Sequence, residues 1–128
     1  MGGKQIKVSR NLEPSMAISD LTMVGIDELR QGFKARTRHW AQMLNVGSHS
    51  VTLRPMRRKW ASCSTSGWMT FNSELLSLDA DLWDYVIVHE LLHFFVPNHG
   101  KLWKSLMAAY LGDYLELEVR LKESASVT

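Results

Sequence analysis

The chain reads as an α+β domain, and three observations predict it. Apolar residues recur at helical spacing before residue 47 and again after residue 80, while the segment between alternates with a period of two. At 128 residues the chain can bury one core without staples, and 45% hydrophobic with 22% charged residues is ordinary for a globular protein. No internal repeat or low-complexity tract divides it, so a single domain over residues 1–128 is expected, ending in a polar tail at 124–128.

KQIKVSR at 4–10 alternates weakly and reads as a short strand, ended by Pro14. From about Ile26, the residues Leu29, Phe33, Trp40, Met43 and Leu44 follow a helical period, with Arg30, Lys34 and Arg38 largely between them. Gly47 suits the C-terminal stop of this N-terminal helix. SVTLRPM (50–56), KWASCST (59–65) and GWMTFN (67–72) then read as strands of a small, mostly antiparallel sheet. Ser66-Gly67 makes the tight turn between the last two, and Pro55 argues for an edge position or a strand end. The helical period returns from about Ala80 to Phe95, with Ser77 or Asp79 as cap and Asp79, Asp81 and Asp84 at the positive end of the dipole. This helix is apolar around most of its circumference, which places it in the centre of the domain. Further helices are expected from near Gly100 and from around Asp113.

Charge and cysteine content narrow the function classes. The net charge of +2 neither demands nor excludes nucleic acid. Basic residues do cluster, at Lys34, Arg36 and Arg38 and again at Arg54, Arg57, Arg58 and Lys59, either as solvated faces or as a phosphate-binding patch. Cys63 is the only cysteine, which rules out an intrachain disulfide and the four-cysteine zinc modules. MGGKQIKVSR lacks the apolar run of a signal peptide, and Ile6 breaks the myristoylation pattern. No stretch approaches the ~18 apolar residues of a membrane span. A cytoplasmic protein without a membrane partner is expected.

The chemistry concentrates in VIVHELLHFFVPNH (86–99), where polar groups interrupt an otherwise dry helix. His89 and His93 lie one turn plus 40° apart, so both imidazoles project from one face, about 6 Å apart along the axis. That spacing lets two nitrogens reach one metal ion, while Glu90, on the flank, can touch a metal-bound water. Burying Glu90 unpaired would cost several kcal/mol, and no Arg or Lys lies nearby in sequence to offset it. Zn2+ accounts for all three residues together. A catalytic zinc takes three protein ligands and keeps a position for water, so the third ligand decides the class. On an unbroken helix His99 would point about 120° off the metal face and ~9 Å further along. Pro97 forces Val96 out of helical geometry and Asn98 favours turns, so the chain can double back and bring His99 to the site. The rival third ligand is a carboxylate from a later helix, Glu116 ahead of Glu118 and Asp113.

Two motifs in order, RRKWASCSTSGWMTFNSELL (57–76) and DYVIVHELLHFFVPNHGKLW (84–103), resemble the YgjP-like zinc metallopeptidases, relatives of the SprT and Wss proteases among the zincins. The resemblance spans about residues 33–122. It implies a minimal zincin-like metallopeptidase domain with an N-terminal helix, a small sheet, an active-site helix and C-terminal helices. Carried over by position, His89, His93 and His99 would be the zinc ligands and Glu90 the general base. Ala61, Leu92 and Leu102 depart from the family pattern, which has glycine, alanine and an aromatic there, and none of the three is a ligand. The N-terminal sheet of longer members is mostly missing.

The expected function is therefore a zinc-dependent metallopeptidase acting on a protein or peptide, with an extended substrate adding to the edge of the 67–72 or 59–65 strand. Two other classes compete. One is a nucleic-acid-associated protease or module using the basic 54–59 segment, since the SprT and Wss relatives act on DNA-bound proteins. The other is a zinc-holding, partner-binding domain without catalysis. Of the remaining residues, Cys63 reads as a buried strand cysteine and His39 and His49 as surface histidines. Trp40, Trp60, Trp68, Trp83 and Trp103 read as packing residues. Tyr85, Tyr110 and Tyr114 are candidates to stabilise an oxyanion, with no means of choosing among them.

Overall fold

The computed structural model describes residues 18–47, 50–64 and 66–124, with side chains from residue 25 onward. The expected 4–10 strand, His49 and the 125–128 end of the polar tail lie outside the described residues. Helix α1 (Ile18–Met43) buries Phe33, Thr37 and Ala41, with Leu44 just beyond it, at the three- and four-residue spacing of one helix face. The Thr37 hydroxyl, set in this stripe, donates back to the Phe33 carbonyl at 2.9 Å and so leaves no orphaned donor. Ile26, Leu29 and Met43, expected on the same face, are exposed instead. Asn45, rather than Gly47, ends the helix. Its φ of 58° is a left-handed conformation that asparagine tolerates. It lets the Asn45 and Val46 amides donate to the Gln42 and Ala41 carbonyls at 3.1 and 2.8 Å.

Three short strands follow: β1 (Val51–Arg54), β2 (Ala61–Cys63) and β3 (Met69–Asn72). Their order is β1-β3-β2. β2 and β3 form an antiparallel hairpin with Ala61 opposite Phe71 and Cys63 opposite Met69. Gly67, at φ 95°, supplies its turn. β1 runs parallel to β3, with Val51 opposite Met69 and Arg54 opposite Asn72. The sheet is thus mixed where a mostly antiparallel one was expected. Pro55 ends β1, and residues 55–60 carry the chain past it, so the tight hairpin returns β3 rather than β2 to β1's side. That connection is anchored by Asn72, which is fully buried. Its side-chain amide donates to the Met56 and Lys59 carbonyls, both at 3.1 Å.

A 3-10 turn (Ser73–Ser77) leads into α2 (Ala80–Leu92), followed by α3 (Lys101–Leu111) and α4 (Tyr114–Glu123). As expected, α2 is central: it buries Leu82, Trp83, Tyr85, Val86, Ile87, Val88, Leu91 and Leu92 against α1, α3, α4 and β2. Asp79 caps it without a side-chain bond, while the Ser77 hydroxyl turns to the Glu74 carbonyl. The acids of its first turns reach other helices. Asp79 and Asp81 pair with Arg120 of α4 at 2.9 and 2.7 Å. Asp84 accepts from the Arg36 guanidinium and from Trp40 Nε1 on α1. Trp83 and Trp103 are buried and Trp40 and Trp60 half-buried, but Trp68, at 63% exposure, is not a packing residue. Trp68 directly follows the turn glycine, where the hairpin offers nothing to cover an indole. Among the described residues no helix is long and apolar enough to cross a membrane.

Candidate metal centre

His89 and His93 leave the last turns of α2 on the same face, their ring centroids 5.0 Å apart. The helix stops at Leu92, before Pro97 could break it, and His93 is its capping residue. Beyond it the backbone tightens: Phe94 and Phe95 donate three residues back, to Leu91 and Leu92. Pro97 follows with no amide to extend the pattern. The Asn98 side-chain oxygen then accepts from the Gly100 amide at 2.9 Å, closing a turn that opens onto α3. A Cβ at Gly100 would meet that oxygen at 2.8 Å, so a larger residue there would push the Asn98 side chain out of this turn.

The reversal returns His99 to the helix face it would otherwise have left. Its Nε2 lies 3.0 Å from His89 Nε2 and 3.1 Å from His93 Nε2. Among the described residues these three imidazoles form the group whose nitrogens lie within 4.8 Å of one another, and no carboxylate joins it. The rival ligands lie outside this group. Asp113 caps α4 by accepting from the Glu116 amide. Glu116 is exposed, and Glu118 accepts from the Tyr85 hydroxyl at 3.2 Å.

The walls of the cluster are aromatic. Trp103 packs on His99 and His89 with centroids at 4.4 and 5.2 Å, and Tyr114 meets Trp103 edge to face at 5.9 Å. Tyr85 lies 5.8 Å from His89. Burial and then Glu118 raise its hydroxyl pKa, so it stays neutral and donates. Tyr110 packs instead on Trp40 of α1. Burial, then the neighbouring His93 and His99, push His89 down to about 4. It is a neutral imidazole at ordinary pH, the form that binds metals.

These residues fit a metal ion by geometry and by chemistry. A tetrahedral zinc with bonds of ~2.0–2.1 Å needs nitrogens about 3.3 Å apart, close to what the cluster presents. The outer nitrogen of His93, Nδ1, lies 3.3 Å from the Val96 carbonyl. A carbonyl only accepts, so Nδ1 carries the proton and Nε2 keeps its lone pair toward the other two rings.

Glu90 stands beside the cluster, half-buried, and among the described residues it makes no hydrogen bond or ion pair. Burial raises its pKa, while His93 and Lys59 pull it the other way. Lys59 is the cation that no sequence neighbourhood revealed, because it comes from the connection before β2. Cys63 of β2 is half-buried rather than buried. Burial, and then the charge of Glu90, push its thiol up, leaving it protonated and a poor metal ligand. His39 is exposed, as expected.

Three histidines that converge at the end of a buried helix and in the turn after it, with an unpartnered carboxylate at their flank, suit a metal-dependent hydrolase, and the family narrows that to a metallopeptidase. The chain belongs to the YgjP-like metallopeptidase domain family, whose model matches residues 2–124. In structure it is similar to the metallopeptidase zymogen jannalysin of Methanocaldococcus jannaschii, with 26% identity, a TM-score of 0.65, and coverage of 72% of this chain and 95% of that one. The zymogen of Pyrococcus abyssi abylysin shares the fold at 22% identity and a TM-score of 0.59, over 77% of this chain and 93% of that one. No curated protein matches the chain in sequence.

Proposed function

We propose that the protein is a zinc-dependent endopeptidase in which His89, His93 and His99 hold the ion and Glu90 is the general base. The observation that carries this reading is the convergence of three imidazole nitrogens beside a carboxylate that has no partner among the described residues. When bound, zinc polarises the scissile carbonyl and lowers the pKa of a water toward ~7. Glu90 takes the proton of that water and later delivers it to the leaving amine. The burial that raises its proton affinity suits it to both steps. Trp103 packs on the His89 and His99 imidazoles and Tyr85 on His89, which restrains both rings. An extended peptide would add to the outer edge of β2, because β3, the other strand considered from the sequence, is central and paired on both sides. The lone free cysteine accords with a reducing compartment, the cytoplasm in our reading.

The test is Glu90→Gln assayed on an unfolded casein-type substrate. The variant should keep its zinc and lose activity by a factor of about 10²–10⁴. Cleavage at the wild-type rate would remove Glu90 from the role.

A further inference from the structure

Residues 29–73 contain eight Lys or Arg and no acid, whereas 74–123 contain nine of the 13 acids. Four of those cations, Arg54, Arg57, Arg58 and Lys59, gather where β1 passes to β2. All four are exposed, and among the described residues none forms an ion pair.

Three features set this segment apart from an ordinary solvated run. It is anchored from below by the buried Asn72 amide, which grips Met56 and Lys59 by their carbonyls. Arg58 is held at φ 65°, a conformation that costs a non-glycine residue energy and persists only where the surroundings enforce it. Its position matters most. It runs directly into β2, the edge strand packed on α2, the helix that carries His89 and Glu90.

We propose that residues 54–59 form a specificity element that selects peptide substrates carrying acidic side chains next to the segment bound at the β2 edge. This rests on the peptidase reading above. A run of cations on an anchored backbone steers acidic chains toward the cleft. A nucleic-acid duplex asks for a broader basic surface than one short connection in a chain of net charge +2.

The experiment compares two peptides of one sequence, differing only in Glu and Asp against Gln and Asn. They are offered to the zinc-loaded wild type and to Arg57→Gln/Arg58→Asn/Lys59→Gln, where asparagine preserves the left-handed position. The wild type should favour the acidic peptide by about tenfold in kcat/KM, with the ratio shrinking as salt is raised and falling toward unity in the triple variant. Because only the ratio is read, partial misfolding of the variant does not mimic the result. Binding of the same fluorescent peptides to zinc-loaded Glu90→Gln and to its triple variant supplies a readout independent of turnover. An acidic-over-neutral binding preference that the triple variant loses supports the specificity element even if neither peptide is cleaved. Equal kcat/KM and equal binding for both peptides, or a preference untouched by the triple substitution, would overturn it. So would a triple variant that lost only DNA binding.

Discussion

His93 donates its Nδ1–H to the Val96 carbonyl at 3.3 Å, and that single bond decides which way its other nitrogen faces. Val96 is within reach because the chain leaves α2 at Leu92 and tightens instead of continuing. The same reversal that delivers His99 therefore also orients His93. A metal-free sample labelled with nitrogen-15 should show His93 as the Nδ1–H tautomer in long-range imidazole correlations. Finding the proton on Nε2 would mean that the site is not set for a metal.

Asp84 joins α2 to α1 through the Arg36 fork and the Trp40 indole, at 15% side-chain exposure. Asp84→Ala would leave a half-buried guanidinium and an indole N–H without their acceptor. We expect a loss of about 2–3 kcal/mol, read from urea unfolding of the metal-free protein. A loss under about 0.5 kcal/mol would mean that solvent replaces the pair without cost.

Acid should weaken the metal-free fold through His89. Its folded pKa is pushed down to about 4 from an ordinary 6.5, so the unfolded chain takes up the proton first. The neutral ring's contribution is complete above about pH 6.5 and is lost as pH falls through 4, at most about 3 kcal/mol in all. Melting curves of wild type and His89→Gln should converge as pH drops from 7 to 4. Curves that stay parallel would contradict this.

Much of the fold and the candidate site was legible because local spacing carries it. The all-round apolar pattern of 80–95 gave the central helix, three residues longer than the Ala80–Leu92 observed, and the i, i+4 histidines gave the shared face. Pro97 and Asn98 pointed to the reversal, although α2 ends before the proline acts, since His93 already caps it. What stayed hidden depends on chain paths between elements. The parallel β1–β3 pairing follows from how residues 55–60 cross the sheet, and no alternation pattern encodes strand direction. The nearness of Lys59 to Glu90 comes from the same crossing. Trp68 looked like core because it falls at a core periodicity, yet the hairpin tip leaves it outside.

The central claim is that His99, and no carboxylate of α4, completes a zinc site with His89 and His93. Zinc content per chain, measured for wild type, His99→Ala and Glu116→Ala after identical loading and dialysis, tests it most directly. About one zinc is expected in wild type and in Glu116→Ala and almost none in His99→Ala. Loss of zinc in Glu116→Ala, with retention in His99→Ala, would contradict it.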